Sequence, residues 1–152
     1  MTFQNSDKIQ EYVAKEIKRQ NLKKTILDPK NKPKDFTWGE WQRAVKLVGL
    51  KNQNYTCSVC GSTLRNKPGE LHHALLTRGN VIKNKQSDLI HHSHNCLVLH
   101  PDCHKSITKE TSAKLLFYLY GKSVKEWYDN FPTKWTKPNI FSSLERMLEI
   151  ER

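Results

Sequence analysis

The chain lacks the features of a secreted or membrane protein. It has no apolar run long enough to span a bilayer, and residues 1–8 lack the apolar core of a signal peptide. Internal repeats, low-complexity tracts and a glycine-rich phosphate loop are also missing. We therefore expect an intracellular protein, cytoplasmic or nucleoid-associated, without a membrane partner. Its cysteines would stay reduced there, so they are better suited to metal binding than to disulfides.

Acidic and hydrophobic residues are both scarce. The 15 Asp and Glu residues stand against 26 Lys and Arg residues, giving a net charge of +11 and a pI near 9.6. This excess fits a nucleic-acid partner, although charge alone also fits a merely basic soluble protein. Hydrophobic residues make up 36% of the 152 residues, which predicts a thin core in one domain with extensions. A structural metal would add folding free energy to such a core.

Two pairs of potential zinc ligands share one spacing. Cys57 and Cys60 are followed by Gly61, which permits the positive φ of a tight knuckle turn. His100 and Cys103 repeat the spacing further along the chain. Together the four ligands predict a closed tetrahedral site, and closed four-coordinate zinc is structural.

Cys96 competes with His100 for the fourth position. It lies in the apolar run 96–99, where a free cysteine behaves as a small buried hydrophobe, so His100 is favoured. A thioredoxin-like redox pair at Cys57 and Cys60 is disfavoured, because no βαβ pattern surrounds them.

Between Cys57 and His104, four further residues are candidates for a chemical role: His72, His73, Asn95 and His104. Neighbouring residues on a regular strand point to opposite faces, so His72 and His73 are expected to differ in role. The order Cys-x-x-Cys, Glu-x-His-His, then Asn-x-x-x-Leu-His-x-x-Cys-His resembles the HNH endonucleases of the ββα-metal class. The resemblance covers about a third of the chain.

The resemblance implies an α+β fold, in which a ββα-metal (HNH) core with a zinc-knuckle pair is flanked by N- and C-terminal helices. It implies hydrolysis of DNA phosphodiester bonds that leaves 5′-phosphate and 3′-hydroxyl ends. His73 corresponds to the general base, and His72 and His104 correspond to ligands of one catalytic divalent ion. Asn95 corresponds to the family's asparagine, which orients the base, braces the loop or contacts the metal in different members.

These roles agree with the chemistry of phosphodiester hydrolysis. An imidazole near its ordinary pKa can take the proton of the attacking water at neutral pH. A divalent ion can bind the scissile phosphate and the leaving oxygen. Many members have Asp where this chain has His72, so Mg²⁺, Mn²⁺, Ni²⁺ and Zn²⁺ all remain open as the catalytic ion.

Other interpretations stay open at this point. A non-catalytic, zinc-stabilised nucleic-acid-binding module would need only the four zinc ligands and a basic surface. Double-stranded DNA is the expected substrate, with RNA as a further possibility. His91, His92 and His94 have no counterpart in the family pattern and could contact phosphate or face solvent. The sequence does not indicate an oligomeric state.

The chain divides into three predicted regions. They are a basic helical N-terminal extension and linker, the nuclease core with its zinc site, and a C-terminal helical extension, at 1–36, 37–108 and 109–152. The first contains a helix over 6–21 and a lysine-rich linker or arm over 28–35.

Capping and apolar patterns predict the remaining elements. A capping box at Thr37 and Glu40 predicts the start of a helix, and Gly49 favours its end. A second capping box at Ser123 and Glu126 predicts the start of a short helix. The other predicted elements are strands at 70–75 and 95–99, a basic loop at 76–93, a helix after Pro101 that carries His104, and helices at 111–120 and after Ser142. Lys122, Lys125, Lys134 and Lys137 are candidate DNA contacts.

Overall fold

The computed structural model of the protein describes residues 2–65, 69–76 and 90–131. Within them the chain forms helices and a two-stranded antiparallel sheet, which confirms the α+β class. None of the helices in this part of the chain is both long and apolar enough to cross a bilayer. Most of the predicted basic loop, the stretch around Lys134 and Lys137, and the helix after Ser142 lie outside the described residues.

The elements follow one another in an order close to that predicted. Single 3₁₀ turns lie at Pro29–Asn31 and Ser93–Asn95. The helices are α1 (Thr2–Gln20), α2 (Trp38–Asn52), α3 (Pro101–Ser106), α4 (Lys109–Tyr120) and α5 (Lys122–Asp129), and the strands are β1 (Glu70–His73) and β2 (Cys96–Leu99).

Helix α1 begins earlier than predicted and packs against α2. Ile9 and Val13 are buried, and Tyr12 and Ile17 pack beside them in a cluster that includes residues of α2. These four residues form one apolar stripe, which is the core face of α1.

The lysine-rich segment 28–35 is anchored at its start. Pro29 is buried, and the preceding Leu27 forms two hydrogen bonds with Ser93. The Leu27 amide donates to the Ser93 hydroxyl at 2.8 Å, and the Ser93 amide donates to the Leu27 carbonyl at 2.9 Å. The segment thus starts from a fixed point on the core.

The capping box predicted for α2 is present. The Thr37 hydroxyl accepts from the Glu40 amide at 3.1 Å, and the Glu40 carboxylate accepts from the Thr37 amide at 2.8 Å. Two amides that α2 leaves unsatisfied at its start are thereby paired.

The prediction that Gly49 ends α2 is wrong, because the helix continues to Asn52. A Cβ on Gly49 would lie 3.1 Å from Cγ2 of Val98, so this glycine allows α2 to approach β2 closely. A Cβ on Gly69, just before β1, would lie 2.9 Å from the other methyl carbon of Val98. The two methyl groups of Val98 therefore pack against Gly49 and Gly69, where no side chain competes for the space.

The sheet places the two central histidines opposite buried residues of β2. In the antiparallel register His72 faces Leu97 and His73 faces Cys96. Every residue of β2 is buried, whereas β1 is partly accessible. Both strands are shorter than predicted, and Asn95 lies in the 3₁₀ turn before β2.

Helices α4 and α5 cover the sheet. Leu116, Phe117, Val124 and Tyr128 join the same hydrophobic cluster as the strand residues. The capping box predicted at Ser123 is wrong, because α5 begins at Lys122 without a side-chain cap. The Ser123 hydroxyl instead donates to the Tyr120 carbonyl at 2.9 Å.

Candidate metal centre and histidine cluster

The first two zinc-ligand candidates lie on a tight turn. Its ends are joined by an antiparallel bridge between Thr56 and Thr63. The Gly61 amide donates to the Cys57 carbonyl at 2.8 Å, and Gly61 has φ +75°. A residue with a side chain would be strained in this conformation, so the glycine allows the turn that brings Cys57 and Cys60 together.

The second pair comes from the start of α3. His100 precedes Pro101, the first residue of the helix, and Cys103 lies within its first turn. The ligand atoms of Cys57, Cys60, His100 and Cys103 all lie within 4.8 Å of one another. The predicted set is thus brought together by the knuckle turn and α3.

The geometry of this cluster fits a tetrahedral ion. Cys60 Sγ lies 3.4 Å from His100 Nδ1. Zn–S and Zn–N bonds of about 2.3 and 2.0 Å at the tetrahedral angle would separate these atoms by about 3.5 Å. The Cys₃His cluster could therefore hold a structural metal such as zinc.

Hydrogen bonds prepare the cluster for a cation. His100 Nε2 donates to the Thr63 carbonyl at 2.9 Å, which leaves Nδ1 as the ligand atom. Hydrogen bonding from the Ser62 backbone lowers the pKa of Cys60 to about 6. Burial raises the pKa of Cys103 to about 11, so a bound cation would have to displace its proton.

Cys96 is separate from this cluster. It is buried on β2, and its thiol donates to the Ile90 carbonyl at 3.4 Å. Burial also raises the pKa of Cys96, as expected for a cysteine in an apolar environment. The structure thus agrees with the choice of His100 as the fourth ligand.

His72 and His104 lie side by side at the junction of β1 and α3. Their ring centroids are 4.9 Å apart, with the ring planes inclined at 62°. Burial, followed by the nearby His104 and His73, lowers the pKa of His72 to about 4. His72 is therefore neutral at pH 7, which is the form that binds metal ions.

Each of these histidines has a polar partner that we did not predict. His104 Nδ1 lies 2.7 Å from Glu70 Oε2, and His72 Nε2 lies 2.9 Å from Ser112 Oγ. Glu70 could have been found from the Glu-x-His-His motif. Ser112 carries no such signal, because it lies outside the motif on α4.

His73 lies on the next position of β1 and has different surroundings. Its side chain is half-buried, its Nε2 atom is buried, and its ring centroid lies 5.1 Å from that of His91. Because adjacent strand residues point to opposite faces, His73 is turned away from the side on which His72 meets α4.

Asn95 braces the chain on both sides of the loop. Its Oδ1 accepts from the amides of Leu75 and Leu76 at 2.9 and 2.7 Å. Its Nδ2 donates to the carbonyls of Leu76 and Ile90 at 2.9 and 3.0 Å. Backbone groups thus satisfy both ends of the buried side-chain amide. Of the three roles that the family asparagine has, this arrangement corresponds to bracing the loop.

His91, His92 and His94 are buried, so they do not face solvent. His92 and His94 lie beside Trp127, with ring centroids 4.8 and 5.9 Å from it. Burial is the main cause that lowers the pKa of each of these two to about 3. They are packing residues of the core.

The Cys₃His cluster differs from the group of His72, His104 and Glu70 in how close its ligand atoms lie to one another. Elsewhere in the described chain, no three His, Cys, Asp or Glu residues bring their ligand atoms as close together.

No family model matches the chain, and neither curated proteins nor solved structures gave a match. We therefore infer function from the geometry of these residues.

Proposed function

We propose that the protein is a metal-dependent DNA endonuclease in which β1, β2 and α3 form a ββα-metal core. The observation that carries this proposal is the 4.9 Å separation of the His72 and His104 rings, with His73 at the next position of the strand. A structural zinc in the Cys₃His cluster would hold α3, and hence His104, against the sheet.

The proposed roles follow from position and burial. His72 and His104 would bind one divalent ion, Mg²⁺, Mn²⁺, Ni²⁺ or Zn²⁺. When bound, this ion would neutralise charge on the scissile phosphate and stabilise the leaving oxygen. His73 would take the proton of the attacking water through Nδ1, because its Nε2 atom is buried. Asn95 would act as a positioning residue that braces the end of β1.

The charge of the chain supports DNA as the substrate. The net charge of +11 favours a polyanion, and contacts to phosphates would bind without reading the base sequence. Lys105 directly follows His104 on α3 and is exposed, as is Lys122 on α5. Lys125 differs from them, because its ammonium lies 2.8 Å from the Asp129 carboxylate.

A non-catalytic zinc-stabilised nucleic-acid-binding module is the second candidate. The observation that favours it is the ligand spacing of the Cys₃His cluster, which the group around His72 does not match within the described residues. This candidate gives no role to His72, His104 and Glu70 as a contacting group.

Plasmid cleavage separates the two candidates. Purified zinc-loaded protein is incubated with supercoiled plasmid in EDTA, Mg²⁺, Mn²⁺, Ni²⁺ or added Zn²⁺, with RNA in parallel. The nuclease predicts nicked or linear plasmid that depends on a divalent ion, with ends that a ligase can reseal because they carry a 5′-phosphate and a 3′-hydroxyl. A mobility shift without cleavage in every metal would favour the binding module.

The His73→Ala variant tests the general base. We expect cleavage to fall by at least about 100-fold, since general-base catalysis typically contributes that much. Zinc content and the far-UV circular dichroism spectrum should stay as in the parent protein. Full cleavage by this variant would remove His73 from the mechanism.

A further inference from the structure

Ser112 connects the C-terminal helical region to the histidine cluster. It lies on α4, in the region 109–152 that was predicted as a C-terminal helical extension, and it is fully buried. Its Oγ lies 2.9 Å from the His72 Nε2 atom, which is 40 residues away in the chain. Among the described residues, Ser112 is the hydrogen-bond partner of this nitrogen.

The direction of this hydrogen bond follows from the number of protons. A serine hydroxyl has a single proton, and the Thr108 carbonyl, 2.9 Å from Ser112 Oγ, is a neighbour that can only accept it. With that proton directed to Thr108, the Ser112 oxygen accepts from His72. His72 Nε2 then carries the ring proton of the neutral imidazole and donates it to Ser112.

We infer that Ser112 is a positioning residue that fixes the tautomer of His72, so that Nδ1 becomes the atom that binds the divalent ion. The inference rests on the proposed function, in which His72 is a metal ligand. Metal-binding histidines commonly donate their second ring nitrogen to a polar partner, which sets both tautomer and ring orientation. Here the partner comes from α4, outside the β1–β2–α3 unit.

A purely structural role for Ser112 makes a different prediction. A serine within a helix often donates to the carbonyl four residues earlier, and the bond to Thr108 is of this kind. If that bond were its only role, removing the hydroxyl would affect α4 and leave the tautomer of His72 unchanged. The tautomer is therefore the measurement that separates positioning from packing.

Nitrogen-15 NMR of the histidine rings reads the tautomer directly, in zinc-loaded protein at pH 7.5 without any other ion. The His72 signals are assigned by their loss in His72→Gln. We expect the Nε2–H form in the parent protein and a substantial fraction of Nδ1–H in Ser112→Ala. An Nδ1–H ring in the parent protein, or an unchanged ring in Ser112→Ala, would overturn the inference.

Mn²⁺ affinity provides the second readout. Electron paramagnetic resonance titration should show about 10- to 100-fold weaker binding to Ser112→Ala, which is the usual effect of losing such a partner. Ser112→Thr keeps the hydroxyl and should restore most of the affinity. Thr111→Ala removes an exposed hydroxyl from the same helix and should leave the affinity unchanged. Equal affinities for the parent and a folded Ser112→Ala would contradict the inference.

The two proposals fail in different ways. If the tautomer and the Mn²⁺ affinity respond to Ser112 but no metal supports cleavage, the nuclease proposal falls and the positioning role stands. If cleavage requires Mn²⁺ while both readouts ignore Ser112, the positioning role falls alone. If the parent protein binds no Mn²⁺ beyond the zinc site, both fall.

Discussion

The Glu70 carboxylate meets the His104 imidazole across 34 residues of chain, with Oε2 2.7 Å from Nδ1. The contact joins the first residue of β1 to α3, so it orients the His104 ring relative to His72. With Nδ1 directed to Glu70, Nε2 is the ring nitrogen of His104 that is left to bind an ion.

Removal of Glu70 should therefore weaken the proposed ion site. We expect Glu70→Ala to bind Mn²⁺ about 10- to 100-fold less tightly, because His104 loses the partner that fixes its ring. Titration of zinc-loaded protein with Mn²⁺ measures the change. Glu126→Ala removes an exposed carboxylate from α5 and serves as the control. Equal losses in both variants would indicate a general effect of charge.

The cysteines should separate into zinc ligands and a core residue. Cys60→Ser should lose most of its zinc, because a thiolate ligand is replaced by a hydroxyl. Cys96→Ser should keep one zinc per chain, and its hydroxyl can still donate to the Ile90 carbonyl. Metal analysis of the two purified variants measures this difference. Loss of zinc from Cys96→Ser alone would reverse the assignment.

Asn95 should be among the residues that contribute most to stability. Asn95→Ala leaves buried amides and carbonyls of residues 75, 76 and 90 without their side-chain partner. We expect a loss of about 3–5 kcal/mol in the free energy of unfolding, measured by urea denaturation.

Asn52 offers a matched comparison for Asn95. It is also buried, and its amide bonds to the Thr25 backbone and the Tyr120 hydroxyl. Asn52→Ala should be destabilised, yet its cleavage rate per folded molecule should match that of the parent. A similar rate for Asn95→Ala would show that bracing the loop does not affect cleavage.

Acid should destabilise the fold through His92 and His94. Burial lowers the pKa of each to about 3, whereas the pKa of an unfolded histidine is about 6.5. The unfolded state therefore binds more protons below pH 6.5, and stability is lost as the pH falls from there towards 3. Each of these histidines would lower the free energy of unfolding by at most about 1.4 kcal/mol for each unit by which the pH falls.

The double variant His92→Gln, His94→Gln isolates this effect. Urea denaturation at pH 7.5, 6 and 5 should give a flatter dependence on pH than in the parent protein. Both proteins are compared with zinc bound, so that protonation of the cysteines contributes equally. Parallel pH profiles would show that these two rings do not control the acid sensitivity.

The sequence predicted features that depend on the spacing of residues along the chain, such as ligand pairs and a helix cap. Two ligand pairs of equal spacing were sufficient to select Cys57, Cys60, His100 and Cys103, because a tetrahedral ion limits how such pairs combine. The capping box at Thr37 was also correct, whereas the same spacing at Ser123 was misleading because the helix there begins earlier, at Lys122.

Contacts between distant segments were not predictable in this way. Ser112 and His72 become neighbours only when α4 packs on the sheet. The burial of His92 and His94 likewise depends on Trp127 of α5. Gly49 was interpreted as a helix stop because glycine often has that role, whereas its function here depends on the position of Val98.

Because Val98 packs against Gly49 and Gly69, the effects of substitutions at residues 49, 69 and 98 depend on one another. Side chains larger than hydrogen at residues 49 or 69 would compete with the valine methyl groups for the same volume. An alanine at either position would become tolerable if residue 98 also lost a methyl group. Homologues that diverge here should therefore change these positions jointly, and an alanine introduced at residue 49 to stiffen α2 should be accommodated best beside a smaller residue 98.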